Sequence, residues 1–190
     1  MSNAAVYRIC WEGGYQSLLY DLPEPDPDLW VFDGRSRLES WTMPPVYVEE
    51  PRLQIPDIWR LIGAAVLTVS ESTAQLLEPF LTSSGELLPL RLPGSGRLLA
   101  LNVTRDVDCM DVASLSLETM SLKPEFIAHR LPESGLFKVP IVDTTQVFHL
   151  QRDDDEDTFM QRVLRERLRG ISFELVWSTQ AGAQAINLLS

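Results

Sequence analysis

Side-chain character alternates along AVYRICW (residues 5–11), and the run ends at Gly13-Gly14. Period-two alternation closed by a turn predicts a first strand. DLPEPDPDLWVFDG (21–34) then sets Pro23, Pro25 and Pro27 between acids. Prolines at that density fix φ and remove N–H donors, so the stretch reads as extended and solvated. LWVF adds a short strand that stops at Asp33-Gly34. ESWTMPPVYVEEP (39–51) is extended again, with Val46 and Val48 on one side of the chain and Tyr47 on the other.

The pattern changes at IPDIWRLIGAAVLTVSESTAQLLEPFL (55–81). Either Asp57 caps a short helix, or a loop here feeds a strand over 65–69. Ser70 or Ser72 then caps a helix carrying Ala74, Leu76, Leu77, Phe80 and Leu81, which Pro79 kinks or distorts. GELLPLRL and GRLLALNV follow as two strands about the turn PGSG (93–96), a hairpin signal. Residues 126–131 and 136–142 read as strands, and TTQVFHL (144–150) stays extended. A second helix follows the acids at 153–157. Its apolar face is Phe159, Met160, Val163, Leu164 and Leu168, and Arg162, Arg165, Glu166 and Arg169 lie opposite. Acids first and arginines last complement the helix dipole. Gly170 stops the helix, and ISFELVW (171–177) is a final strand. The sum is one α+β domain over residues 1–190, mainly antiparallel sheet with hairpins and two principal helices.

Composition narrows what such a domain does. A chain of 190 residues, 45% of them apolar, buries about 70% of its unfolded surface and needs no metal or disulfide staple. The net charge of −11 repels phosphates and disfavours nucleic acid, while attracting a basic partner. Cys10 and Cys109 are too far apart in sequence for a zinc spacing or a disulfide framework. No window approaches the ~18 apolar residues of a membrane span. MSNAAVYRICW has no basic region leading into a long apolar one, so a cytoplasmic location is expected.

The densest candidate chemistry is RDVDCMD, where Asp106, Asp108 and Asp111 leave an apolar run. An aspartate pair at a strand end holds magnesium only with distant ligands and a phosphate-binding element. No P-loop or Gly-rich loop accompanies it. Asp106 and Asp108 therefore read as a solvated strand exit and Asp111 as a cap or turn, with a metal-dependent hydrolase as the alternative. His129 and His149 are the only imidazoles, and no G-x-S-x-G elbow occurs. The acids at 153–157 lack the spaced ligands and glycine of a calcium loop.

One ordered set of fragments goes further. FDGRSRLESWTMPP (32–45), IPDIW (55–59), LTVSESTAQLLEPFL (67–81) running into GELLPL (85–90), LNVTRDVDCMDVASLS (101–116), QVFHL (146–150) and RLRGISFELVW (167–177) follow in succession. The succession resembles the eleventh family of bacterial polymorphic-toxin immunity proteins, formerly a domain of unknown function. The residues that match are Phe32 and Gly34 with Trp41; Ser70 and Glu71 with Glu86 and Pro89; Asn102, Val103, Asp108, Asp111 and Ser114 or Ser116; and Gly170 with Phe173. They span about 150 of the 190 residues. His149 departs from the pattern, since such proteins often carry arginine there. On this resemblance Asp108 and Asp111 hydrogen-bond to backbone N–H groups of the next segment.

The resemblance implies a non-catalytic protein, without metal or cofactor, that binds and neutralises a cognate toxin. An acidic inhibitor suits a toxin that is basic because it attacks nucleic acid. The alternatives are the hydrolase on Asp106, Asp108 and Asp111, or a secretion accessory or adaptor. Loops supply variable contact groups more readily than regular elements. The expected partner-binding residues are therefore Asp21, Glu24, Asp26 and Asp28 with Asp153, Asp154, Asp155, Glu156 and Asp157.

Overall fold

Alternation along the first residues produces β1 (Ala4–Trp11), which buries Ala4 and Val6 on one face and turns Tyr7, Ile9 and Trp11 toward the other. The computed structural model describes residues 3–24, 29, 31–64, 66–94, 96–111, 125–140, 146–180 and 187–188. Within them the chain continues through β2 (Ser17–Tyr20), β3 (Val46–Val48), β4 (Ile58–Leu61), β5 (Val66–Ser70), α1 (Glu71–Ser84), β6 (Gly85–Leu92) and β7 (Gly96–Val103). It then forms β8 (Gly135–Phe137), β9 (Phe148–Arg152), α2 (Phe159–Arg165), β10 (Ile171–Ser178) and β11 (Asn187–Leu188).

The strands form two sheets, ordered β11-β10-β1-β9-β8 and β3-β2-β4-β5-β7-β6. Their ladders are antiparallel except for β2 beside β4. The fold is thus a single α+β domain. β3 and β6, at opposite ends of the second sheet, come together where the Arg91 N–H donates to the Pro44 carbonyl at 3.0 Å and Pro45 bridges Arg91. This sheet therefore curls until its edges meet, in a barrel-like form.

Alternation sorts the core into layers. Inside the curled sheet pack Leu18, Tyr20, Phe32, Trp59, Leu61, Leu88, Leu90, Leu98 and Ala100. Its outer face, with Leu67, Val69, Leu101 and Val103, meets α1, α2 and one face of the first sheet. The far face of the first sheet, with Val6, Phe148 and Leu150, is covered by Cys109, Met110 and Phe126. The first sheet is thus a middle layer, apolar on both faces.

Ser70, rather than Ser72, caps α1: its hydroxyl accepts from the Thr73 N–H at 3.2 Å. The helix buries Ala74, Leu77 and Leu81, while Leu76 is 42% exposed, which corrects its place on the apolar face. α1 runs without a loop into β6. A Cβ on Gly85 would lie 1.9 Å from the Asn102 carbonyl oxygen, so only glycine fits this junction. The β6–β7 hairpin pairs from Gly85↔Val103 to Leu92↔Gly96, as PGSG predicts.

Other expectations change. Val31 and Phe32 are in no strand; Phe32 leaves the backbone ladder to fill the barrel interior. Asp57 caps no helix, for its carboxylate accepts the Arg169 N–H at 2.9 Å and Ile58–Leu61 is a strand. Within 126–131, Phe126 makes one bridge and Ala128–Arg130 form a 3-10 turn. A Thr158–Gln161 capping box starts α2. It ends at Arg165, before Gly170, with Arg167 at φ 54° turning the chain. Gly170, at φ 112°, is instead the place where β10 passes the barrel: a Cβ there would lie 2.1 Å from the Ile58 carbonyl oxygen.

Candidate functional site

Five of the residues that carry the resemblance, Phe32, Trp41, Glu86, Pro89 and Asn102, meet at one joint. Segment 31–45 runs beside β6 as a strap. The Arg37 N–H donates to Glu86 Oε2 at 2.9 Å, and the Trp41 indole N–H donates to the Pro89 carbonyl at 2.9 Å. Asn102, fully buried and paired with Glu86 across the hairpin, donates from Nδ2 to the Arg35 carbonyl at 2.8 Å and to Glu86 Oε2 at 3.2 Å. Phe32 and Trp41 meet edge to face at 6.1 Å, and the Arg37 guanidinium lies over both rings at 5.5 and 5.3 Å. Burial opposes charge on Glu86, but donors from Ser36, Arg37 and Asn102 outweigh it and hold the carboxyl below its usual range. The strap thereby covers an edge strand that would otherwise expose unpaired backbone groups. Chemically, the joint orients backbone and fixes the entry of Phe32 into the barrel.

Beside the strap, Asp33, Gly34 and Arg35 face Asp106, Lys138 and Val139 across a cleft of about 380 Å³. Lys138 is buried, and its ammonium donates to the Phe32 carbonyl. Residues 105–107 lie alongside Lys138 by paired backbone hydrogen bonds of 2.9 Å, which fixes Asp106 at the cleft. Burial, set against the attraction of Lys138 and reinforced by Asp33, raises the Asp106 carboxyl above its usual range.

The three aspartates of RDVDCMD do not converge. Asp106 points to this cleft, whereas Asp108 is 71% exposed at its side chain and pairs with Arg130 at 3.5 Å. The backbone N–H groups of the next segment, the expected partners of Asp108 and Asp111, lie outside the described residues. The Asp111 N–H donates to the Glu125 carbonyl at 2.9 Å, tying the strand exit back on itself. The residues after it, with Ser114 and Ser116, lie outside those described. Among the described residues no three His, Cys, Asp or Glu side chains are grouped to hold a metal.

His149 lies in the core. It is fully buried between Phe159 and Phe173, with ring centroids 6.2 and 6.3 Å away, and neither ring nitrogen has a hydrogen-bond partner among the described residues. Burial pushes its pKa down to about 3. Cys109 packs on the opposite face of the first sheet, and Cys10 points to that face by strand alternation. Burial pushes the Cys109 thiol up to about 11, and burial with nearby Glu174 raises Cys10 despite Arg8.

The acidic stretches lie on different sheets. Asp21 and Glu24 are exposed just after β2; Asp26 and Asp28 lie outside the described residues. At the end of β9, Asp153 accepts from the Asn3 amide at 2.6 Å and Asp155 from the Arg152 N–H at 2.7 Å. Asp154 and Glu156 are exposed. Asp157 pairs with Arg162 and with Arg165, the latter at 3.3 Å, so helix arginines offset this carboxylate. These pairs hold it below its usual range: the Arg162 hydrogen bond acts first, against desolvation, and Arg165 adds. Arg162 also donates to the Leu76 carbonyl at 2.9 Å and covers the Phe80 ring at 5.5 Å, which joins α2 to α1. Although opposite the apolar face of α2, its guanidinium thus packs against α1. No protein-family model matches the chain, and no curated protein matches it.

Proposed function

We propose that this is a non-catalytic immunity protein that binds and neutralises a cognate bacterial toxin in the cytoplasm of the cell that makes both. One observation supports the reading above others. Phe32, Trp41, Glu86, Pro89 and Asn102, which carry the resemblance from separate stretches of sequence, lock together in one joint. Gly170 and Phe173 belong to the same scaffold, at a close backbone approach and in the core. A pattern used for scaffold leaves recognition to exposed groups outside it, and here those groups are largely acidic. The net charge of −11 favours a basic partner.

The proposed contact residues are Asp21, Glu24, Asp26 and Asp28 with Asp153, Asp154, Asp155, Glu156 and Asp157. No helix among the described residues is long and apolar enough to cross a membrane. The hydrolase reading on Asp106, Asp108 and Asp111 draws no support from the placement of Asp106 at the cleft and Asp108 beside Arg130. Co-expression with the proposed cognate toxin, sought among the products of the neighbouring genes, tests the proposal. Wild type should restore growth and co-purify with that toxin. Changing Asp153, Asp154 and Asp155 to lysine should weaken the complex and flatten its salt dependence while the circular dichroism spectrum stays the same. Growth arrest despite wild-type protein, or a reversal that leaves affinity untouched, would count against it.

A further inference from the structure

Along one flank of α1, a groove of about 560 Å³ opens between the helix and the β6–β7 hairpin. Its floor is apolar, made by Ala74 with the half-buried Leu87 and Leu99, which are diagonal neighbours on the hairpin. Its walls carry Glu71, Glu78 and Thr82, and no Lys or Arg belongs to its described lining. The Thr82 hydroxyl donates to the Glu78 carbonyl at 2.7 Å, so this wall is turned onto its own helix and leaves the two carboxylates, with the neutral Gln75 amide between them, as the groove's polar groups. Glu71 also meets Arg97 at 3.9 Å, with both side chains more than half exposed, a pair weak enough for an incoming cation to replace.

We propose that this groove docks a basic amphipathic helix of a partner protein. The match is one of charge and spacing. Glu71 and Glu78 are two helical turns apart, about 10 Å along the axis, which is the distance between residues i and i+7 of a second helix. Lysine or arginine at those positions lays its methylene stem on Leu87 and Leu99 and brings its charged head to the carboxylates. The groove lies on the flank of α1 opposite Phe80 and Arg162, so it is separate from the acidic run at 153–157. Identifying the docked helix as part of the toxin rests on the function proposed above; the groove's preference for a basic helix does not.

The probe is a synthetic 18-residue helical peptide with lysine at i and i+7 and leucine at i+3 and i+4, followed by amide chemical shifts of the labelled full chain. Shifts should concentrate on residues 74–82 and on Leu87 and Leu99. Glu71→Lys/Glu78→Lys should weaken the peptide at least tenfold, whereas Glu49→Lys/Glu133→Lys, exposed acids outside the groove with the same change in net charge, should weaken it less than twofold. If the lysine pair disturbs folding, Glu71→Gln/Glu78→Gln should still give a selective loss. Equal losses in both variants, no loss in either, or shifts spread over the acidic surface would overturn the proposal. No toxin enters this assay, so its failure leaves the immunity reading standing, and failure of the toxin to bind leaves the groove result intact.

Discussion

Replacing His149 by leucine isolates the strangest group in the core. The imidazole is fully buried between Phe159 and Phe173, and its two nitrogens find no partner among the described residues. Burial lowers its pKa from an ordinary 6.5 to about 3, so the folded state holds the ring neutral where the unfolded chain protonates it. The sign follows directly. A depressed histidine pKa leaves stability intact above the unfolded value and removes it as pH falls through the interval down to the folded value. Each pH unit in that interval removes about 1.4 kcal/mol, so between pH 7.5 and pH 5 wild type should lose about 2 kcal/mol more than His149→Leu. At pH 7.5 the variant should be at least as stable as wild type. An unpaired buried N–H costs about 1–3 kcal/mol, and a swap of similar volume costs less than about 1.5 kcal/mol. Urea unfolding followed by tryptophan fluorescence across this range measures both quantities. Groups other than His149 contribute equally to the two proteins and cancel in the difference. Parallel pH profiles for wild type and variant would refute the reasoning.

Three further substitutions probe the scaffold. Gly85→Ala places a methyl against the Asn102 carbonyl and should destabilise by more than the ~1 kcal/mol of an ordinary glycine replacement, whereas wild-type urea stability would show that the α1–β6 junction yields. Trp41→Phe removes the indole donor to Pro89 and should cost about 1 kcal/mol, while Asn102→Ala should cost about 1–3 kcal/mol. Both should speed proteolytic cleavage within 31–44, and unchanged cleavage there would mean that the strap is held by something other than this joint.

What the sequence disclosed depended on how local the cause was. The β6–β7 hairpin was legible because eight-residue alternating runs flank a turn tetrapeptide, and α1 because a capping serine precedes an amphipathic run. β2 and β4 escaped notice: SLLY and IWRL are four residues each, and they pair in parallel across an intervening stretch of chain. LWVF misled because its hydrophobicity serves a non-local end, the insertion of Phe32 into the barrel. The burial of His149 followed from the first sheet being a middle layer, which no single strand reveals. The strap residues stood out as a pattern, yet nothing local tells that Glu86, Pro89 and Asn102 would receive the segment around Phe32 and Trp41. Asp157 stood among the expected partner-binding acids because its partners Arg162 and Arg165 reach it only once α2 has turned them back toward its own N-terminus.

Stoichiometric neutralisation without turnover is the centre of the proposed function, and titrating the activity of the proposed cognate toxin with purified protein tests it most directly. The account predicts that activity falls linearly with added protein, reaches its floor at a fixed small ratio, and returns when the complex is dissociated at high salt. Full and lasting loss of toxin activity at a small fraction of one equivalent would show a catalyst acting on the toxin, and undiminished activity at excess would show no neutraliser; either result contradicts the account.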